Sequence, residues 1–216
     1  MKGSVFSSPR ALAEFDLSSA RPMPFPSGAL MCPPSEFDGG DLKNPYMEGQ
    51  IGNVDRALAR RQWEGVRRAF LRAGAAVETI APSPGCEDMV FAANPACPGL
   101  GPGGEKICAL ARMKHPSRRR EVPAFADWFR DRGYRVAQIG RPEWLFEGCG
   151  DAIWHPGRGV LWEAGATAAT SAFTPNWPSF SASRSSPWNC AQAASTTWTP
   201  AFARWTSKAS WSIPPP

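Results

Sequence analysis

Aspartate and glutamate are missing from residues 164–216, although the whole 216-residue chain contains nineteen acidic residues. This segment carries five tryptophans and ten serines, and its only charged residues are Arg184, Arg204 and Lys208. Disordered tails are usually poor in aromatic residues, whereas folded segments space their apolar residues periodically, and this segment fits neither class. We therefore predict that residues 165–216 form an aberrant Ser/Pro/Trp-rich tail outside the folded part of the chain.

The chain also lacks the marks of several other protein classes. No apolar run approaches the length of a membrane span, and the first fifteen residues lack the apolar core of a signal peptide. The six cysteines form no C-x-x-C pair and do not cluster with the two histidines, which argues against a disulfide framework and a zinc site. The net charge of +5 is small, and the basic residues are not interleaved with aromatics as in a nucleic-acid interface. We expect a soluble cytoplasmic protein that needs no metal or other cofactor and binds neither nucleic acid nor membrane. The sequence leaves open whether the chain forms a homo-oligomer.

Residues 28–164 have a regular pattern, whereas residues 1–27 are unpatterned and are expected to be disordered. Within the regular part, Asn53 is expected to cap a helix over roughly 54–73 that ends at Gly74. Three apolar residues contribute to one face of this helix: Leu58, Val66 and Phe70.

A second helix is predicted over roughly 122–132, with Val122, Phe125 and Phe129 spaced for burial and Gly133 as its stop. Short apolar runs before and after both helices are predicted strands, and DMVFAAN is one of them. The alternation of strands and helices predicts one α/β domain.

The two halves of this domain repeat at a fixed spacing. Four residues at the end of the first helix and in the following strand recur 59 positions later, as the pairs Phe70/Phe129, Gly74/Gly133, Val77/Val136 and Ile80/Ile139. The same offset relates Asp88 to Glu147. A fixed offset indicates a repeated supersecondary unit, and units arranged around an axis would turn both acids toward one site.

The stretch LFEGCGDAIW, residues 145–154, places Glu147 and Asp151 around a Gly-Cys-Gly core. From the residues alone, two interpretations remain open. The glycines can form a tight hairpin whose acidic side chains face solvent. Alternatively, carboxylates that converge on a pocket would bind a cationic substrate, especially a guanidinium, whose planar donors match carboxylate geometry.

Five motifs occur in order over roughly residues 29–163: LMCPPSEF, NPYM, EDMVFAANPA, ARMKHPSRRRE and LFEGCGDAIW. Together they resemble the guanidino-group-modifying amidinotransferase superfamily, and in particular its dimethylarginine dimethylaminohydrolase-like proteins. The resemblance implies a partial α/β propeller of the pentein type, built from repeated ββαβ modules. It also implies a hydrolase of C–N bonds other than peptide bonds, in which a cysteine attacks the guanidinium carbon and a histidine moves protons. The substrate would be a small guanidino compound such as arginine or a methylarginine.

Carried over position by position, the resemblance makes Glu147 the catalytic glutamate of an E-G-x-G-D motif. Asp88 and Asn94 would bind the substrate guanidinium, although some relatives have a second aspartate at the position of Asn94. Arg112 would hold the substrate carboxylate. Asp151 is expected to secure the turn, and Cys149 is expected to be a small residue within that turn.

The resemblance ends near residue 164, before the positions where the family carries its catalytic histidine, in a motif like His-Leu-Asp-Thr, and its cysteine. One shifted reading frame permits that motif around residues 195–202, so we interpret the chain as truncated or frameshifted. We expect it to be marginally stable and inactive as written. The alternatives are an amidinotransferase, a non-catalytic guanidino-binding protein and a nonfunctional fragment. The basic run RRR at residues 118–120 is predicted to face solvent, with positioning of a helix start as the second possibility.

Overall fold

The computed structural model describes residue 10, residues 13–43, 47–138 and 145–163, and the backbone alone of residues 179–181. The remaining positions lie outside the described residues, and they include Ile139 and all of the predicted tail except that backbone. The predicted domain boundaries near residues 28 and 164 stay predictions.

The first structural unit consists of two parallel strands joined by a long helix. Strand β1 (Gly28–Met31) pairs with strand β2 (Ala76–Thr79), and helix α1 (Arg56–Arg72) connects them. The helix passes from the end of one strand to the start of its parallel neighbour, which is the connection that parallel strands require.

Asp55, rather than the predicted Asn53, caps α1. Its carboxylate accepts a hydrogen bond from the Leu58 amide at 2.8 Å, and so satisfies one of the first helical amides, which have no partner within the helix. The Asn53 side chain instead donates to the Gly49 carbonyl at 3.2 Å. The predicted cap is wrong. Asn and Asp both favour the N-cap position, and local sequence does not decide between two such residues that lie two positions apart.

The second unit adds one strand to this arrangement. Strand β3 (Ala96–Leu100) pairs antiparallel with β4 (Lys106–Leu110). Two helices follow, α2 (Pro116–Arg119) and α3 (Val122–Asp131), and then β5 (Arg135–Gln138) joins β4 in parallel. This order of strand, strand, helix and strand is the ββαβ module that the family resemblance implies.

The third unit begins in the same order. Strand β6 (Ala152–Trp154) pairs antiparallel with β7 (Leu161–Glu163), and β8 (Ser179–Ser181) runs parallel to β7. Gly74 and Gly133 both follow a helix with positive φ angles, 79° and 77°, and a strand begins two residues later in each case. The predicted repeat is therefore confirmed in its described part.

The prediction of a strand over DMVFAAN is wrong, because its first residues belong to a 3₁₀ helix, Glu87–Val90. The Phe91 amide donates to the Asp88 carbonyl at 2.9 Å, and the Asn94 amide donates to the Phe91 carbonyl at 3.1 Å. Asp88 and Met89 are consecutive and both buried, whereas residues that alternate along a strand point to opposite faces. The turn thus carries a buried carboxylate into the interior.

The central sheet, β3 to β5, has an apolar layer on each face. One layer packs against α3 and contains three sheet residues: Ala96, Cys108 and Leu110. The other contains two sheet residues and three that precede or belong to the third unit: Cys97, Ala109, Phe146, Ala152 and Leu161. The predicted buried face of α3 is confirmed, because its three apolar residues are at most 7% exposed: Val122, Phe125 and Phe129.

The apolar face of α1 is exposed within the described part of the chain. Leu58, Val66 and Phe70 are all exposed, and no residue of this helix is buried. The described residues therefore leave an apolar helix face uncovered, which is unusual for a helix of this length. None of the helices described is long and apolar enough to cross a membrane.

Part of the N-terminal extension is described, and it contacts the third unit. The Met23 amide donates to the Gly157 carbonyl at 3.1 Å, and the Gly159 amide donates to the Arg21 carbonyl at 2.9 Å. These bonds hold residues 21–23 beside the loop that joins β6 to β7.

Candidate functional site

A glycine turn, Gly148–Gly150, sets the position of Glu147. The Cys149 amide donates to the Ala93 carbonyl at 2.9 Å. The first glycine has a φ of 57°, and a Cβ there would lie 2.5 Å from the Asn94 carbonyl oxygen. A Cβ on the last glycine would lie 2.5 Å from the Asn94 side-chain nitrogen. The absence of side chains at both positions therefore lets the Glu147 turn lie directly on Asn94.

Arg112 lies beside this turn through a backbone bridge. Its amide donates to the Phe146 carbonyl at 2.7 Å, and the Phe146 amide donates to the Arg112 carbonyl at 3.2 Å. The Lys114 amide donates to the Glu147 carboxylate at 3.2 Å. The structure thus brings together the chain segments of three predicted site residues: Asn94, Arg112 and Glu147.

Asp151 secures the turn, as the sequence predicts, because its Oδ2 accepts a hydrogen bond from the Glu147 amide at 2.7 Å. Burial raises the pKa of Asp151; the Glu147 amide opposes this shift and the Glu147 charge adds to it. Glu163 lies on the neighbouring strand, opposite Ala152. Burial, together with the negative charge of Asp151, raises the pKa of Glu163 to about 7.

The fourth predicted residue, Asp88, is buried and ion-paired with the protein's own cations. Its Oδ2 lies 3.1 Å from Lys43 Nζ and 3.7 Å from Arg118 Nε. Arg118 Nη2 also lies 2.6 Å from Oε1 of Glu121, whose side chain is 1% exposed. The sequence analysis did not identify Lys43, Arg118 or Glu121 as site residues. Arg118 and Glu121 are three residues apart, but they flank the junction between α2 and α3, so neither this pair nor Lys43 gave a helical spacing signal.

The prediction that the basic run at residues 118–120 faces solvent is wrong for Arg118 and correct for its two neighbours. Arg118 turns inward because Asp88 and Glu121 both present carboxylates to it. A run of like residues does not reveal which of them points inward when the partners come from other segments.

Carboxylates outnumber cations in this cluster, which is buried except for the half-exposed Asp41 side chain. Lys43 also contacts Glu87 and lies 3.4 Å from Asp41, so two cations share four carboxylates: Asp41, Glu87, Asp88 and Glu121. Burial raises the pKa of Glu121 to about 7, although Arg118 opposes the shift. The formal charge of the cluster is negative even when Glu121 is protonated, which favours the approach of a further positive group.

The raised pKa values predict that the free energy of unfolding falls as the pH rises from about 5 to about 8. Glu121 and Glu163 have pKa values of about 7 in the fold against an ordinary value of 4.5. Between these limits the folded chain binds more protons than the unfolded chain, so raising the pH through 7 removes stability. Urea unfolding of the unmodified chain and of Glu163→Gln across this range measures the effect, and the variant should show the shallower slope.

Asp41→Asn is the control for this experiment. Hydrogen bonding from Ser117 lowers the pKa of Asp41 below its ordinary 3.8, so its titration is complete before the range begins. This variant can shift the whole curve but should leave its slope between about pH 5 and 8 unchanged. A slope that is the same in Glu163→Gln as in the unmodified chain would show that Glu163 is ionised in the fold throughout.

The two histidines take local structural positions. The His115 carbonyl accepts the Arg118 amide at 3.1 Å at the start of α2, and His155 Nδ1 accepts the Trp162 indole N–H at 3.2 Å. Within the described ranges, no three His, Cys, Asp or Glu side chains form a group that could hold a metal ion.

No protein-family model matches the chain. The chain is 39% identical over 124 residues to the bifunctional arginine dihydrolase/ornithine cyclodeaminase AgrE of Nostoc sp. PCC 7120. The matched region covers 57% of this chain and 17% of AgrE. It is also 36% identical over 139 residues to the N(G),N(G)-dimethylarginine dimethylaminohydrolase of Mycobacterium tuberculosis. This matched region covers 63% of this chain and 42% of that enzyme. The chain thus spans less than half the length of each of these relatives.

Solved structures give the same result. A crystal structure of an AgrE variant with L-arginine has a TM-score of 0.54 at 36% identity, covering 62% of this chain and 19% of that chain. The substrate-bound N-terminal domain of ArgZ, an arginine dihydrolase from cyanobacteria, has a TM-score of 0.56 at 33% identity, covering 62% of this chain and 47% of that chain. Sequence and fold therefore agree over the same share of this chain.

Proposed function

We propose that this chain binds a small guanidino compound such as arginine or a methylarginine, because its matched part is similar in sequence and fold to arginine dihydrolases and similar in sequence to a dimethylarginine dimethylaminohydrolase. The observation that carries the proposal is the docking of the glycine turn on residues 93–96, which brings Glu147, Asn94 and Arg112 together. The negative cluster around Asp88 adds the charge that a guanidinium requires.

Each residue has a distinct proposed role. The Glu147 carboxylate, held by the Lys114 amide, would accept hydrogen bonds from the guanidinium and assist proton transfer. The Asn94 side chain, which lies beside the turn, would orient the same group without adding charge. Arg112 would pair with the carboxylate of an amino-acid substrate, for which its planar fork is suited.

Asp88 can take its predicted role only after an exchange of partners. Lys43 Nζ lies 3.1 Å from Asp88 Oδ2, and both side chains are almost fully buried. A substrate guanidinium at Asp88 would therefore replace the Lys43 ammonium, and the two cations would compete for one carboxylate.

Calorimetric titration is expected to show saturable binding of arginine, with citrulline binding at least about tenfold more weakly because its ureido group is neutral. Glu147→Gln keeps the shape of the side chain but removes its charge, and it should weaken arginine binding by about 10- to 100-fold. Glu64→Gln, on the surface of α1 and paired with Arg67, is the matched control and should bind as the unmodified chain does.

Lys43→Met separates the role of Asp88 from that of Glu147. If the guanidinium displaces Lys43, the variant should bind arginine more tightly than the unmodified chain. Unchanged affinity would remove Asp88 from the ligand contacts while leaving Glu147 in place. Equal affinity for arginine and citrulline would overturn the proposal, and no binding of either ligand would favour the nonfunctional fragment.

In an intact relative with the same site, the supported reaction is hydrolysis of a guanidino C–N bond, with an amidinotransferase as the second candidate. We propose that this chain alone performs neither, because its sequence lacks the histidine motif and the late cysteine that the resemblance requires. A colorimetric ureido assay, with and without an added amine acceptor, tests both reactions. Ureido product from the purified chain would contradict this, and an amidino product formed only with the acceptor would identify a transferase.

A further inference from the structure

Two cysteines that the proposed function does not use meet beside the Glu147 turn. Cys149 is exposed, whereas Cys97 on β3 is fully buried. Their side chains are close enough for each thiol to shift the pKa of the other. One residue of this pair therefore lies at the surface, and the other is protected from solvent.

The sheet geometry decides which buried cysteine can partner Cys149. Cys97 lies opposite Ala109 in the β3–β4 pair, so its side chain faces the layer that contains Phe146 and Ala152, on either side of the turn. Cys108 lies opposite Pro98, one residue further along, and faces the other layer beneath α3. Although Cys97 and Cys108 are close in the sheet, only Cys97 shares a face with the turn.

The backbone holds the exposed cysteine against this face. The Cys149 amide donates to the Ala93 carbonyl at 2.9 Å, and a Cβ on Gly148 would lie 2.7 Å from the Ala96 carbonyl oxygen. Ala96 immediately precedes Cys97 in the chain. A covalent bond between the two sulfurs therefore joins segments that already touch, and large backbone movement is unnecessary.

We propose that Cys149 is a peroxide-reactive thiol and that Cys97 is its resolving partner, so that the two form a reversible disulfide that fixes the Glu147 turn to β3. The Cys149 thiolate attacks a peroxide oxygen, the O–O bond breaks, and Cys149 becomes a sulfenic acid while the peroxide is reduced to hydroxide or alkoxide. The Cys97 sulfur then attacks the sulfenic sulfur, the S–OH bond breaks, and the hydroxyl leaves as water with the Cys97 proton. A dithiol reductant restores both thiols.

The protonation of the pair matches these roles. The Cys97 thiol acts as a hydrogen-bond donor that lowers the pKa of Cys149, although partial burial of the sulfur of this otherwise exposed residue opposes the shift. The same hydrogen bond, followed by burial, raises the pKa of Cys97. Cys149 is thus the better nucleophile toward an oxidant, while Cys97 retains its proton until the second step.

Peroxide treatment of the full chain, followed by non-reducing peptide mapping, tests the pair. The expected product is a Cys97–Cys149 peptide that has lost two hydrogen atoms and that a dithiol reductant separates. In a short pulse of maleimide, Cys149 should label at least about tenfold faster than Cys97 or Cys108. Amide exchange over residues 147–151 should slow in the oxidised chain, because the bond restrains the turn.

Cys97→Ala and Cys108→Ala are matched substitutions of buried cysteines on the two faces of one sheet. In Cys97→Ala, oxidised Cys149 should remain as a sulfenic acid that dimedone traps, whereas Cys108→Ala should still form the disulfide. Loss of the disulfide in Cys108→Ala, together with a disulfide between Cys149 and Cys108 in Cys97→Ala, would overturn the assignment. A chain whose Cys149 labels no faster than the buried cysteines and forms no Cys97–Cys149 peptide would overturn the proposal as a whole.

Discussion

Replacing Arg118 with methionine is expected to lower the free energy of unfolding by about 3–5 kcal/mol near pH 8. The side chain is only 6% exposed, and its guanidinium lies between the carboxylates of Asp88 and Glu121. Its removal leaves Glu121 as a buried negative charge without its cation, and leaves Asp88 with Lys43 alone. Methionine fills much of the same volume, so the loss reports the missing charge rather than a cavity.

The size of this loss should depend on pH. The pKa of Glu121 is about 7 because burial raises it, even though Arg118 opposes the shift. Without Arg118 that pKa rises further, so the carboxyl takes up a proton at mildly acidic pH and its buried charge disappears. The difference in stability between Arg118→Met and the unmodified chain should therefore be smaller near pH 6 than near pH 8.

Urea unfolding at both pH values measures this difference, and Arg120→Met provides the control. Arg120 is exposed and donates a hydrogen bond to the Gly85 carbonyl at 3.1 Å, so its loss should cost about 1 kcal/mol or less. If Arg118→Met is too unstable to give a transition, the double variant with Glu121→Met removes both charges and should recover part of the loss. Equal effects of Arg118→Met and Arg120→Met would show that the buried pair does not stabilise the fold.

The features that the sequence predicts best are those with a local signal. Helix α3 has three apolar residues at helical spacing and is followed by a glycine stop, Gly133. Helix α1 is likewise followed by Gly74, and in both units a strand begins two residues after the glycine. Local spacing is sufficient there because the helix period and the left-handed glycine position are properties of the segment itself. The sequence therefore predicted the two long helices, the strands that follow them and the repeat, but not the strand β3 or the short helix α2.

The candidate site depends more on distant partners. Glu147 and Asn94 were named from sequence, and the glycines around Cys149 indicated a tight turn, but nothing local showed that this turn docks on residues 93–96. Lys43 and Glu87 are 44 positions apart, and their contact brings an unexpected ammonium to Asp88. Long-range pairs of this kind arise from the packing of units, which a single sequence does not display.

Replacing Gly148 with alanine is expected to cost about 2–5 kcal/mol and to weaken arginine binding together with stability. The residue has a φ of 57°, which costs an L-amino acid about 1–2 kcal/mol. In addition, the new Cβ would lie within 2.8 Å of three backbone carbonyl oxygens, those of Ala93, Asn94 and Ala96. Backbone atoms cannot rotate away as a flexible side chain can, so the turn must lift from this segment and carry Glu147 with it.

Gly104→Ala separates the conformational cost from the effect of this close approach. Gly104, in the loop between β3 and β4, has a φ of 82° and open space where its Cβ would be built. It should therefore lose only the conformational term of about 1–2 kcal/mol and leave arginine binding unchanged. Urea unfolding and calorimetry on both variants measure the two effects separately. If Gly148→Ala loses no more stability than Gly104→Ala and binds arginine normally, the contact of the turn with residues 93–96 does not position Glu147.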